Sequence, residues 1–262
     1  MNARVSFLIV GTQRTGSSAI AEQIGLHPEI TCGWESTNHL LPFSKLRVAE
    51  QIFSGDFRNL DAKERAYLEG IHHDGKKAIG FRRLFRSSAK WLVSPAWAPA
   101  LWVDRLEAHL RWLGRARPQT HIIHVTRSDN VAWLRSMGLA RSTDRYVGQA
   151  YPDGSVARWS LRQAQRRVQT KHWVGARLAT LRHSNPYINV SYEAFRDCNV
   201  REIGRVIDFL GFEPRPDIVA SAHIRPQSKP TGDTQLQNAD AIARLLDELQ
   251  IRFEPLYQPA AR

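Results

Sequence analysis

The segment VSFLIVGTQRTGSSAI, residues 5 to 20, constrains the fold of this chain more than any other. Val5 to Val10 is an unbroken apolar run of the kind a strand buried on both faces requires. It leads into Gly11 and Gly16, spaced by four residues, and then into a short helix carrying Ile20 and Ile24 that stops near Gly25 and Pro28. In that order, backbone N–H groups from about Arg14 to Ser18 converge at a helix N-terminus, where the macrodipole also favours an anion. Gly11, Thr12, Gln13, Arg14, Thr15, Gly16, Ser17 and Ser18 are therefore the expected cradle for a phosphate or a sulfate.

ATP or GTP chemistry asks for more than a loop. The lysine that reaches the β- and γ-phosphates is missing, because Ser17 stands in its place. A strand ending in an aspartate should help to hold Mg²⁺, yet HIIHVTR, residues 121 to 127, ends in Arg127. A cation at that point predicts direct binding of anionic oxygens without a metal. A kinase or other nucleotide-dependent phosphotransferase with a degenerate loop is the alternative.

Elsewhere the hydrophobic period alternates between strand and helix. Lys77 to Phe81, His121 to Val125 and Tyr187 to Tyr192 read as strands. Val103, Leu106, Leu110 and Leu113 share one helical face, and a further helix starts near Ser128 or Asp129. Residues 138 to 155 have no steady period and read as a long surface loop; a helix from about Val156 to Leu181 follows, its many arginines facing water. Val200, Ile203, Ile207 and Leu210 mark another helix ending at Gly211, residues 213 to 237 are irregular, and a last helix covers about Asn238 to Phe253. The pattern predicts an α/β class, a three-layer fold with a central, mostly parallel sheet, as one domain over residues 1 to 262, with ligands outside the carboxyl ends of the strands.

Lysine and arginine total 37 against 25 acidic residues, a formal charge of +12. The basic residues are dispersed, with no helix-turn-helix, zinc-finger or RNP-like pattern, so a small anionic ligand is expected and no specific nucleic acid. Cys32 and Cys198 are too few for a disulfide framework and read as buried or half-buried thiols. No stretch of about 18 apolar residues could span a membrane, and no export signal is visible, which leads to the expectation of a cytoplasmic protein. His72, His73 and Asp74 give no metal site, because adjacent histidines do not share a face. Oligomeric state is open.

GTQRTGSSAI resembles the 5′-phosphosulfate loop of the sulfotransferases that use 3′-phosphoadenosine 5′-phosphosulfate (PAPS), and VTRSDNVAWLRS resembles their 3′-phosphate motif. HPEITCGWE is similar to the continuation found in bacterial carbohydrate and tyrosylprotein sulfotransferases, VSYEAF to a YExL segment, and SKPTGDTQLQN to a late segment near the nucleotide. The resemblance, spread in order over most of the chain, implies PAPS as co-substrate, no metal, and a hydroxyl acceptor on a small molecule, glycan or lipid. It assigns the 3′-phosphate to Arg127 and Ser136 and the catalytic base to Glu35, with His39 in reserve. Arg14 is expected against the leaving oxygen, Ser17 and Ser18 on the 5′-phosphate, and Lys229 on a phosphate. Tyr192 is either an adenosine contact or a core aromatic. No motif aligns between residues 40 and 120, where acceptor contacts are expected; Arg82 or Arg83 is a candidate for a further cation near the leaving oxygen.

Overall fold

The computed structural model describes residues 4–33, 51, 53, 65, 75–85, 98–145, 151–217 and 235–253. Glu35, His39, His72, His73, Asp74 and Lys229 lie outside them. The apolar run forms β1 (Val5–Thr12), the middle strand of a five-stranded sheet with β2 (Ile30–Gly33), β3 (Ala78–Phe85), β4 (His121–Thr126) and β6 (Tyr187–Ser191). The order is β2-β3-β1-β4-β6 and every neighbouring pair is parallel. Parallel neighbours need crossovers, which α1 (Ser17–Gly25), α2 (Ala98–Ala116), α3 (Asn130–Thr143), α4 (Leu161–Ala179), α5 (Tyr192–Asp197) and α6 (Asn199–Phe209) supply or extend.

Alternation along β1 explains why the whole run is apolar. Leu8 and Val10 pack with Leu106, Leu110, Val174 and Leu178 of α2 and α4. Phe7 and Ile9 pack with Ile20 and Ile24 of α1 and Ile203, Val206 and Ile207 of α6. The sheet is thus covered on both faces, giving the three layers the sequence implied. A third cluster, with Trp133, Leu139, Ala157, Trp159 and Ile242, joins α3 and α4 to a small parallel pair, β5 (Val156–Ala157) and β7 (Gln235–Leu236), and to α7 (Ala239–Phe253).

Several boundaries differ from the sequence expectation. Residues 138 to 143 are not loop: α3 runs to Thr143, with Leu139 and Ala140 fully buried. Gly138 disguises the continuation, because it serves close packing and not a turn; a Cβ there would stand 2.5 Å from Ala157 Cβ. Residues 156 to 160 are not helix. Val156 and Ala157 pair with Gln235 and Leu236, and α4 starts after Ser160, which forms a capping box with Gln163 worth about 1 kcal/mol. Arg167 of α4 does not face water but lies buried, its guanidinium 5.0 Å from the Trp159 ring centre. Cys198 is exposed and not half-buried. Tyr192 opens α5 and is not the end of a strand.

Burial pulls the His124 imidazole from its ordinary 6.5 down to about 4, with Tyr187 Oη 2.6 Å from its Nδ1. The unfolded chain therefore binds the extra proton between about pH 6.5 and pH 4, so stability falls as pH drops through that window. From about pH 7 to about pH 5 this residue should remove about 2 kcal/mol. Urea melts at the two pH values check this, and His124→Gln should lose less than the wild type by that amount.

Candidate active site

The carboxyl ends of β1 and β4 are neighbours, and the turn after each meets the other. Gly11 fits there for lack of a side chain: a Cβ would lie 2.6 Å from the Val125 carbonyl oxygen of β4. In the turn that follows, Arg14 has φ 64° and Gly16 has φ 85°, two left-handed residues that give a tight concave path. Thr15 Oγ1 donates to the Thr12 carbonyl at 2.8 Å and is buried. The Trp133 indole donates to the Gln13 carbonyl at 2.8 Å, and Arg127 Nη1 donates to the Arg14 carbonyl at 3.2 Å. Across a trans peptide the carbonyl and the next N–H point opposite ways. With the carbonyls of Gln13 and Arg14 held by Trp133 and Arg127, the N–H groups of Arg14 and Thr15 point away from these holders. The first amides of α1 have no partner within the helix, and Gly16, the residue before it, offers no side-chain cap.

Arg14 reaches further. Its Nε donates to Ser136 Oγ at 3.0 Å and its Nη2 to Tyr151 Oη at 2.7 Å. Arg14 thus belongs to one constellation with Arg127 and Ser136, each more than a hundred residues away from it in sequence. Tyr192 lies under it: the Arg127 guanidinium carbon is 4.5 Å from the ring centre, and the ring edge fills the place that a Cβ on Gly16 would take. Burial pulls the Arg127 guanidinium below its ordinary value, offset by Tyr192, Asp129 and Glu193. Among the described residues, its buried Nε has no hydrogen-bond partner.

Glu193, which the sequence reading did not single out, fixes this turn. Its Oε1 accepts from the N–H groups of Ser128 and Asp129 at 3.1 and 3.0 Å, and Oε2 accepts from Ser191 Oγ at 2.9 Å. Burial raises its carboxyl, but these donors outweigh burial and hold it below the ordinary range. The signal was present in VSYEAF, where the glutamate directly follows Tyr192. Asp129 then caps α3 by accepting from Ala132 N at 2.8 Å.

At the other end of the loop, buried Arg82 of β3 donates through Nη1 to Ser18 Oγ; the side chain of Arg83 is outside the description. Ser18, Glu22, Cys32, Gly33 and Arg82 line a small cavity of about 20 Å³. Burial pushes the Cys32 thiol up to about 12, so it is inert as a nucleophile. Ser17 is buried at the start of α1.

Residues 6–217 match the model of a family described as the sulfotransferase family. The chain belongs to that family. No curated protein matches its sequence. Among solved structures, this sulfotransferase is similar to one from Alicyclobacillus acidocaldarius, at 18% identity over 97% of this chain and 92% of that one, with a TM-score of 0.48. It is also similar to the sulfotransferase domain of the Synechococcus PCC 7002 olefin synthase, at 13% identity, 100% and 92% coverage and a TM-score of 0.41. A third is sulfotransferase STF9 from Mycobacterium avium, at 10% identity, 97% and 78% coverage and a TM-score of 0.45. The assignment rests on the family match. Among the described residues of this sulfotransferase, no helix is long and apolar enough to cross a membrane.

The donor set also tests what such a site can hold. Backbone amides, hydroxyls and guanidinium groups converge on the turn, the two glycines open space that a Cβ would close, and Arg127 keeps one buried N–H without a partner among the described residues. Donors and cations of this kind suit a nucleotide with anionic groups at both ends.

Proposed function

We propose that the sulfuryl donor of this sulfotransferase is PAPS and that the acceptor is a hydroxyl of a carbohydrate, lipid or other small molecule. One observation carries the reading: Arg14 of the first motif is bonded to Ser136 of the second, while Arg127 holds the Arg14 carbonyl. The motifs whose sequences resemble a 5′-phosphosulfate loop and a 3′-phosphate site are therefore in direct contact, which supports the reading.

When bound, PAPS supplies an activated sulfuryl group and leaves as 3′-phosphoadenosine 5′-phosphate. The chain's own residues do the rest. The amides from Arg14 to Ser18 and the hydroxyls of Ser17 and Ser18 hold the 5′ end, in the positive field of the α1 N-terminus. Arg127 and Ser136 hold the 3′-phosphate, Tyr192 backs the Arg127 plane, and Lys229 adds a phosphate contact. Glu35 accepts the acceptor's proton. Arg82, against Ser18, and Arg14 stabilise the negative charge that grows on the leaving oxygen; for Arg14 this requires release from Ser136 and Tyr151. These cations and amides meet the charge directly, without a metal.

Thermal shift tests the proposal. 3′-Phosphoadenosine 5′-phosphate should raise the melting temperature without Mg²⁺. Stabilisation by ATP with Mg²⁺ instead would favour a phosphotransferase, and a response only to heparin or DNA with steep salt dependence would favour polyanion binding. Arg127→Ala should weaken nucleotide binding about 10- to 100-fold, the loss of a charge-assisted hydrogen bond. Incubation with sulfur-labelled donor and a metabolite extract, read by mass spectrometry, would then identify the acceptor.

A further inference from the structure

A lysine is seldom buried unless it is paired. Lys171, on the inner side of α4, is only 6% exposed, and among the described residues no carboxylate forms an ion pair with it. Its Nζ donates to Asn130 Oδ1 at 2.6 Å and stands 5.1 Å from the centre of the Trp133 ring. Both partners adjoin the turns proposed to grip the nucleotide. Asn130 is the first residue of α3, three positions after Arg127, and the Trp133 indole holds the Gln13 carbonyl of the loop. Among the described residues, one hydrogen bond and one aromatic face are what a three-donor ammonium finds there.

The charged groups around it are few. Arg127, from the end of β4, repels it, while Glu193 of α5 and Asp129 of the intervening turn attract it. Those two carboxylates already accept from the amides of Ser128, Asp129 and Ala132. His172, its neighbour on α4, contacts Asn130 Nδ2 at 3.3 Å, and burial followed by Lys171 holds it down to about 4, hence neutral. Burial first, then Arg127, pulls the Lys171 amine down to about 7. An arriving phosphate would replace like-charge repulsion with attraction and reverse that pull.

We propose that Lys171 is a further cation of the phosphate site, charged by the ligand it serves: a phosphate docking on Arg127 draws one proton from solvent onto the Lys171 amine. The step forms one N–H bond on the amine and takes one proton from buffer, with no other bond changed. It rests on the reading that Arg127 binds the nucleotide's 3′-phosphate. It also makes nucleotide affinity fall as pH rises beyond neutrality.

Calorimetric titration of 3′-phosphoadenosine 5′-phosphate at about pH 8, in buffers of different ionisation enthalpy, tests it. At that pH the phosphate is already a dianion and ordinary histidines are neutral. Wild type should take up roughly 0.5 to 0.9 proton per ligand. Lys171→Met should bind more weakly and without uptake. Lys171→Arg, permanently charged, should bind about as tightly as wild type, again without uptake, and it decides the matter if the methionine variant fails to fold. Wild-type binding with no uptake, or equal uptake in the arginine variant, overturns the proposal and leaves the nucleotide reading standing. Absence of any binding overturns both.

Discussion

Gly16→Ala is expected to lower stability by about 2–5 kcal/mol and to abolish nucleotide binding. Two costs add. At φ 85° an alanine sits in the left-handed region, and its Cβ would lie 2.3 Å from Tyr192 Cδ2 and 2.8 Å from Cε2. The ring cannot swing aside as a flexible chain end would, because it packs on the α1–α6 core and carries the Arg127 guanidinium on its face. Any shift of Tyr192 therefore moves Arg127. A control separates strain from collision: Gly154 also has a positive φ, of 73°, but nothing within 4 Å of a Cβ. Gly154→Ala should cost about 1–2 kcal/mol and leave binding intact. Urea denaturation and nucleotide titration of both variants decide, and equal behaviour of the two would show that the Tyr192 contact is unimportant.

Glu35→Gln is expected to cut kcat by about 10²–10⁴-fold while nucleotide affinity stays within about twofold, the range associated with loss of a general base. Glu35 follows Gly33, the end of β2, by two residues, a reach of at most about 7 Å. Gly33 itself lines the small cavity with Ser18 and Arg82. Ser18 and Arg82, proposed above to face the transferred group, thus lie close to Gly33. Glutamine keeps the size and removes the basic oxygen, so binding and turnover should separate. Full turnover in the variant would move the base elsewhere, to His39 first.

Much of this architecture was readable because it lies in short-range pattern. The β1 run, the two glycines and the helix after them are local, and local spacing places them. The approach of Arg127 to the same point was also legible, through its position at a strand end in a parallel fold. What could not be read were contacts set by long-range packing. Tyr151, buried and bonded to Arg14, sits in a segment whose composition suggests an ordinary loop. Lys171 and Arg167 look like two more surface arginines and lysines of an amphipathic helix, yet both are buried, beside the Trp133 and Trp159 rings. Glu193 does its work through two main-chain amides in another turn, which no side-chain pattern records. Gly138 misled for the opposite reason: a residue that usually ends a helix is kept here because Ala157 and Trp159 come too close for anything larger.

The parallel pairing of β1 has a consequence for biosynthesis. Apart from the local Thr15 to Thr12 bond, the groups packed on the first turn come from downstream: the Val125 carbonyl, Arg127, Trp133 and finally Tyr192. A nascent chain that ends before β4 would carry the loop and its Thr15 to Thr12 bond but none of the distant groups that hold it. Closing so long a span is slow compared with forming the local helix. Competence for the nucleotide should therefore arise late and in one step, once α3 and α5 have been synthesised, and co-translational pulse experiments should find no partial ligand protection before that length.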